Sequence, residues 1–134
     1  VIPVSSAGQD GAARHMIEAG SDESFPLLAY SNNSYLGRLV GSALDSWDLS
    51  RRARPSYESS LVEALKGMAL AGEGVAWLPK SLTEQEMADG RLVRALDESW
   101  DIPLEIHLTR PTAPISPVHT ATANTPHCQL AIVA

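Results

Sequence analysis

The chain has 134 residues, of which 44% are hydrophobic and 19% charged, and its formal net charge is −6 at pH 7. This length and composition suit one globular domain with a core of its own. The negative charge argues against a protein that holds a nucleic acid backbone by itself. The arginines at 51, 52 and 54 are therefore expected to lie in a solvated surface loop.

The single cysteine, Cys128, excludes an internal disulfide and fits a reducing cytoplasm. No stretch reaches the roughly 18 apolar residues of a membrane span, and no signal peptide begins the chain. The chain opens without Met on the apolar segment Val1–Val4, which has the character of a strand. We therefore expect a fragment of a longer cytoplasmic protein.

The first third of the chain predicts a strand, a polar connection, a buried strand and a helix. Residues 5–22 are polar, with one helical turn expected over residues 12–17. The apolar run Phe25–Tyr30 predicts a buried strand. Four cap-forming residues, 31–34, precede a helix expected over Tyr35–Trp47. Its apolar face is formed by Leu36, Leu39, Val40 and Leu44.

A second strand and helix are expected next. A short strand over Arg54–Glu58 leads to a helix over Leu61–Ala71 that ends at Gly72. Ser59 and Ser60 are expected to cap this helix, with a capping box formed by Ser60 and Glu63. Its buried side is expected to comprise Leu61, Leu65, Met68 and Ala69.

The remaining elements continue the alternation of strands and helices. Gly74–Pro79 is apolar throughout, which predicts a strand inside a parallel sheet. A capping box of Ser81 and Glu84 predicts a helix that reaches Asp89 and stops at Gly90. Strands are expected over Arg91–Leu96 and, with alternating polarity, over Leu104–Arg110. The tail, residues 111–134, shows no clean periodicity and predicts no regular element. The alternation over residues 25–96 predicts an α/β layer fold.

Three segments occur in a characteristic order: PLLAYSNNSYLGR at 26–38, SSLVEALK at 59–66, and MALAGEGVAWLP at 68–79 followed by GRLV at 90–93. Together they resemble the effector-binding domain of LysR-type transcriptional regulators over roughly residues 1–112. The Asn-Ser-Tyr-x-Gly-Arg run is similar to that of hypochlorite-responsive members of the family, which sense oxidant through methionine. Leu36 and Leu61 supply no sulfur here, which argues against oxidant sensing.

The resemblance implies an α/β fold of the periplasmic-binding-protein-like type II kind, in which two subdomains flank a cleft. On that template residues 1–6 form a crossover strand, and residues 7–103 form the second subdomain. Residues 104–134 form the return strand into the first subdomain and an irregular tail, where the family usually has an amphipathic helix. The chain is thus expected to be mainly the second subdomain with part of the first, without the family's winged helix-turn-helix.

The beginnings of the two helices are the expected effector site. A helix N-terminus offers unpaired N–H groups and a positive dipole end, which receive a small anion. These ends gather at the carboxyl edge of the strands beside the cleft. The candidate effector-binding residues are Asn33, Ser34, Tyr35, Ser59, Ser60 and Arg110, with Arg110 reaching across from the return strand. The alternative is that the serines only cap their helices and that Arg110 forms a surface ion pair.

Nothing in the sequence predicts a cofactor, a metal ion or catalytic residues. The four histidines, at positions 15, 107, 119 and 127, lack metal-ligand spacing, and no nucleophile elbow occurs. Gly72 and Gly74 lack the third glycine of a dinucleotide loop. Glu84 and Glu86 are paired carboxylates at an expected helix start, where acids stabilise the dipole.

The expected partners are a small-molecule effector and further copies of the chain, as a homodimer or tetramer, with no membrane. DNA contacts are expected only through a domain absent from this chain. The resemblance implies a dimer surface on the helix 35–47 and the strand near 54–58. Two alternatives stay open: a fragment of a periplasmic-type solute-binding protein, and an enzyme on the same bilobal fold, such as a prephenate dehydratase or porphobilinogen deaminase relative. Cys128 is a poor candidate for the cofactor cysteine of such an enzyme.

Overall fold

A computed structural model describes residues 1–109 and 129–133, with side chains described for residues 1–104. The chain divides into two compact units, Val1–Ile102 and Pro103–Ala134. The helices and strands of the two units are, in chain order, β1 (Ile2–Ser6), β2 (Phe25–Tyr30), α1 (Tyr35–Ser46), β3 (Ala53–Ser59), α2 (Val62–Leu70), β4 (Ala76–Leu78), α3 (Glu84–Ala88), β5 (Leu92–Arg94), β6 (Glu105–Thr109) and β7 (Gln129–Val133).

The first unit contains a mixed sheet. β1 pairs antiparallel with β4 on one side and β5 on the other, and β2 pairs parallel with β3. A parallel bridge between Leu27 and Val75 joins the two groups, with Val75 N–H donating to the Pro26 carbonyl at 2.9 Å. The strands therefore lie in the order β3-β2-β4-β1-β5. The prediction that Gly74–Pro79 lies in a wholly parallel sheet is wrong, because β1 runs against β4.

The core of this unit forms around β1 and β4. Every residue of β1 is buried, and Trp77 in β4 is completely buried. The Trp77 indole N–H donates to the Trp100 carbonyl at 3.2 Å, and the Tyr30 hydroxyl donates to the Trp77 carbonyl at 2.8 Å. Trp77 is thus a core residue whose polar atoms are satisfied by neighbouring strands and turns.

The predicted helix after β2 is confirmed, with α1 ending one residue earlier than expected. Val40 and Leu44 are buried, and Leu36 and Leu39 are half-buried. The Ser34 hydroxyl accepts a hydrogen bond from Gly37 N–H at 2.9 Å, which is the predicted N-cap. Local sequence therefore defines the beginning of α1.

The predicted capping box of α2 is wrong. The N-cap is Leu61, in extended conformation, and it has no side-chain cap hydrogen bond. β3 continues to Ser59, whose hydroxyl accepts instead from Leu61 N–H at 3.1 Å, so Ser60 lies before the helix. Leu61 was expected to be buried but is 66% exposed, whereas Leu65 and Ala69 are buried as predicted. Gly72 ends the helix with φ of 83°.

Two further local predictions are wrong. Residues 12–17 form no helical turn: Ala13 forms an isolated β-bridge with Ala7, and Arg14 N–H donates to the Ser6 carbonyl at 2.8 Å. Ser81 does not cap α3, because it lies within a 3-10 turn, Lys80–Leu82. α3 has Thr83 as its N-cap, without a side-chain cap hydrogen bond. Gly90 follows α3 with φ of 76°, as predicted for a helix stop.

The second unit contains a two-stranded antiparallel sheet of β6 and β7. The register pairs Glu105 with Val133 and Thr109 with Gln129. The strand predicted over Leu104–Arg110 is confirmed over Glu105–Thr109, which is β6. The expectation of no regular element in the tail is wrong at β7, since its short apolar run becomes a strand only by pairing with β6. Arg110 lies outside the described residues, and the assignment of these segments to two subdomains stays a prediction.

Candidate functional site

The two helix starts singled out in the sequence lie side by side. β2 and β3 are parallel neighbours, and Tyr30 pairs in register with Ser59. One residue further, Ser31 N–H donates to the Ser59 carbonyl at 3.0 Å. Both strands therefore end at the same edge of the sheet, and the helices that follow them begin there. This confirms the predicted convergence of residues 31–35 with residues 58–61.

The loop before α1 is closed by Ser34. Its hydroxyl donates to the Ser31 carbonyl at 2.7 Å and accepts from Gly37 N–H, while its own N–H donates to the Ser31 carbonyl at 2.9 Å. Both roles of the hydroxyl are thus used within the loop. Ser34 positions the helix start, in agreement with the alternative that this serine serves as a cap.

The first turn of α1 presents unpaired backbone N–H groups at the positive end of the helix dipole. The N–H groups of Tyr35 and Leu36 have no acceptor inside the helix, and within the part of the chain described here they donate to no other group. No acidic residue lies in this turn. Asn32 and Asn33, just before it, are exposed. The turn combines unpaired N–H groups with the positive end of the helix dipole, which together attract an anion.

Arg38 adds a positive charge to this start and was not among the predicted site residues. Its Nη1 donates to the Asn33 carbonyl at 3.2 Å, so the guanidinium folds back over the beginning of the helix. Helical side chains cover the turn that precedes their own Cα. The signal for Arg38 was therefore its position four residues after the Ser34 cap.

The start of α2 is less suited to an anion. Glu63 lies in its first turn, where its carboxylate opposes a second negative charge. The Ser59 hydroxyl is engaged by Leu61 N–H, as described above. Ser60 is exposed, and its hydroxyl makes no hydrogen bond within residues 1–104. The geometry therefore brings Ser59 and Ser60 to the site but favours the α1 side for charge recognition.

A small cavity adjoins the helix starts. Its volume is about 190 Å³, and it lies between α1 and the β2-β3 pair. Asn32, Gly37 and Glu58 contribute to its walls, and most of the remaining lining is apolar. The Glu58 carboxylate makes this cavity unfavourable for an anion, so the anion-attracting groups are those of the α1 turn itself.

Two other classes of function would require a metal site or a membrane-spanning helix. Among the side chains of residues 1–104, no cluster of three or more histidine, cysteine or acidic groups has the arrangement of a metal site. None of the helices in that same part of the chain has the length and apolar character needed to cross a membrane.

Comparison with known proteins identifies the family. The model of the family described as LysR substrate binding domain matches residues 9–124. The chain belongs to this family. The LysR substrate-binding domain has the type II periplasmic-binding-like fold, so the expected fold class is confirmed, as is the resemblance from which it was inferred.

Individual relatives agree with this assignment. The chain is 34% identical over 122 residues to the HTH-type transcriptional regulator YjiE of Escherichia coli K12, a match that covers 88% of this chain and 38% of YjiE. It is 39% identical over 98 residues to the HTH domain-truncated transcriptional regulator QseD of Escherichia coli O157:H7, covering 70% of this chain and 38% of QseD. The chain therefore spans well under half the length of these curated relatives.

A solved LysR structure also matches. The bromide ion-bound regulatory domain of HypT from Salmonella typhimurium is 36% identical, with a TM-score of 0.63, over 74% of this chain and 45% of that domain. The matched relatives are transcriptional regulators, and none supports the solute-binding alternative. The chain accordingly belongs to the effector-binding domain of LysR-type regulators.

Proposed function

We propose that this LysR domain senses a small anionic effector at the start of α1 and belongs to a cytoplasmic transcriptional regulator. The observation that carries the proposal is the first turn of α1, with its free N–H groups, its lack of acidic residues and the Arg38 guanidinium beside it. The HypT regulatory domain is described as bromide ion-bound, which supports anion recognition by a related domain. Binding would serve as a signal, with no reaction catalysed.

Each predicted site residue has a distinct proposed role. The N–H groups of Tyr35 and Leu36 would bind the anion, and the exposed Asn33 amide would add a neutral donor. Ser34 would hold the turn in place, and Ser59 would tie it to the start of α2. Ser60 would line the rim of the site. Arg110 is proposed from the family resemblance alone to reach the effector from the return strand.

The mechanism we infer is a shift between two closures of the cleft between subdomains. An effector that binds one closure more tightly raises the population of that closure. The ratio of the two closures can change by no more than the ratio of the effector's affinities for them. The shift would change the geometry of a dimer or tetramer, and hence the spacing of winged helix-turn-helix domains outside this chain. α1 and the exposed edge strand β3 are the proposed oligomer surface.

A charge substitution at the α1 start tests the proposal. Asn33→Asp adds a negative charge at an exposed position and should weaken binding of acetate and bromide by about 0.3–1 kcal/mol, or about two- to fivefold. Isothermal titration calorimetry at constant ionic strength measures the change. Gln85→Glu, on the exposed side of α3, adds the same charge away from the site and should leave the affinity unchanged.

The titration has two outcomes that contradict the proposal. One is an absence of saturable binding of either anion. The other is an equal loss of affinity in Asn33→Asp and Gln85→Glu, because net charge alone would then explain the effect. A reporter-gene assay with the same pair of variants in the whole regulator extends the test to transcription, where only the Asn33 change should alter the response.

A further inference from the structure

A second polar feature lies at the end of the sheet opposite to the start of α1. β4 runs in the same direction as β2, because Val75 just before it bridges in parallel to Leu27. β1 runs antiparallel to β4, so β1 ends at Ser6 near the amino ends of β2 and β4. Ser31 follows the carboxyl end of β2, and Ser6 therefore lies at the opposite end of the strands. Ser6 is 7% exposed. Its Oγ is buried and has no hydrogen-bond partner among the described residues. Buried hydroxyls are usually hydrogen-bonded, so this one calls for a partner that the chain itself does not supply.

Ser6 lies in the wall of a cavity that two arginines also line. The cavity has a volume of about 490 Å³, and Arg14, Leu70 and Arg91 contribute to its walls together with Ser6. A Cβ placed on Gly72 would lie 2.9 Å from Nη1 of Arg14 and 3.3 Å from Oγ of Ser6. The guanidinium and the hydroxyl therefore both lie against Gly72, where the absence of a side chain leaves room for them.

The charge in this cavity is unbalanced. The Arg14 side chain is exposed and forms neither a hydrogen bond nor an ion pair within residues 1–104. Arg91 donates one hydrogen bond from Nη2 to Oδ2 of Asp89 at 3.0 Å. The other donors of its guanidinium make no hydrogen bond to the described residues. The cavity wall thus carries two guanidinium groups, of which that of Arg91 is paired with Asp89 and also interacts with the Glu86 carboxylate.

We propose that this cavity, the Ser6 site, binds a small tetrahedral oxyanion: inorganic phosphate or the phosphate group of a small metabolite. Guanidinium groups match the geometry of phosphate oxygens and bind them through paired N–H donors. The Ser6 hydroxyl would donate to a third oxygen and so gain the partner that it lacks. The site is separate from the α1 start and does not depend on effector binding there.

Phosphate titration of the full chain tests the proposal. Titration of isotope-labelled protein with inorganic phosphate at constant ionic strength should shift the amide resonances of Ser6, Ala7 and Gly72 saturably. Arg14→Gln and Ser6→Ala should each weaken this binding roughly tenfold, since each removes a hydrogen bond to a charged group. Arg54→Gln removes an exposed arginine on β3 and should leave the affinity unchanged.

A phenyl phosphate titration in parallel distinguishes the two sources of the ligand. Tighter binding of the monoester supports a phosphorylated metabolite, and tighter binding of phosphate supports the free ion. The proposal is overturned if the shifts at Ser6 and Gly72 do not saturate, since the hydroxyl is then satisfied by water alone. It is equally overturned if Arg54→Gln weakens binding as much as Arg14→Gln does. Because wild-type shifts suffice for the first criterion, a variant that fails to fold leaves the test intact.

Discussion

Gly37 in α1 approaches Ser31 so closely that a Cβ at position 37 would lie 2.1 Å from the Ser31 carbonyl oxygen. That carbonyl also accepts from the hydroxyl and the N–H of Ser34. The first turn of the helix is thereby pressed against the loop that joins it to β2. The absence of a side chain at position 37 is what gives the proposed anion site its geometry.

Replacing this glycine by alanine should destabilise the domain. Gly37→Ala should lower the free energy of unfolding by about 1–3 kcal/mol or more, because a backbone oxygen cannot move away easily. Gly41→Ala, on the same helix, is the matched control: apart from its chain neighbours and the nearby helix backbone, no atom lies within 4 Å of its added Cβ. It should raise stability by about 0.5–1 kcal/mol. Urea unfolding followed by circular dichroism measures both, and equal stability of the two variants would contradict the close approach.

The two serines that precede helices should differ in their effect on stability. Ser34→Ala removes the cap of α1 and should lower the free energy of unfolding by about 0.5–2 kcal/mol. Ser60→Ala should change it by less than about 0.5 kcal/mol, because its hydroxyl makes no hydrogen bond in the described residues. If Ser60→Ala lowered the free energy of unfolding as much as Ser34→Ala does, Ser60 would cap α2 after all, as the sequence predicted.

Tyr30 links β2 to the core through its hydroxyl. Tyr30→Phe should lower the free energy of unfolding by about 0.5–1.5 kcal/mol at neutral pH, since the Trp77 carbonyl loses its donor.

Burial raises the pKa of the Tyr30 hydroxyl above its ordinary value. The folded state therefore favours the neutral hydroxyl. Its contribution to the free energy of unfolding is complete below about pH 10 and declines as the pH rises further. Unfolding measured at rising alkaline pH should show a smaller decline for Tyr30→Phe than for wild type. An identical decline in both proteins would count against a buried, neutral Tyr30.

The ion pair between Lys66 in α2 and Glu86 in α3 should make stability depend on acid pH. Its N–O distance is 2.7 Å, and the hydrogen bond from Lys66 lowers the pKa of the Glu86 carboxyl. Because the pKa of Glu86 is lower in the folded state than in the unfolded state, the pair stabilises the fold at pH values above the unfolded-state pKa of about 4.3. This stabilisation is lost as the pH falls through the folded-state pKa.

Glu86→Gln should therefore be less stable than wild type near neutral pH and should lose less stability on acidification. Glu84→Gln, at an exposed position in the same helix, should keep the wild-type pH dependence. Urea unfolding at several pH values between about 3 and 6 covers the expected range. Parallel pH curves for wild type and Glu86→Gln would show that the pair contributes nothing.

Local chemistry in the sequence predicted much of the first unit. The run of polar residues before Tyr35 and the spacing of Val40 and Leu44 were enough to define α1 and its cap. The parallel arrangement of the strands predicted over 25–30 and 54–58, implied by an intervening helix, was enough to bring the two helix starts together.

What the sequence did not predict depends on tertiary contacts. β3 extends to Ser59 because that residue pairs with Tyr30, and this moves the start of α2 beyond Ser60. β7 becomes a strand only through β6. The contact of Arg38 with the Asn33 carbonyl depends on how the loop before α1 closes, which no local pattern in the sequence specifies.

The central claim is that an anion binds at the first turn of α1. A titration of isotope-labelled full chain with acetate, at constant ionic strength, tests it by following every amide resonance. We expect the largest saturable shifts at the N–H groups of Tyr35 and Leu36, with the Arg38 side chain shifting in parallel. Saturable shifts confined to other parts of the molecule, or none at all, would contradict the claim.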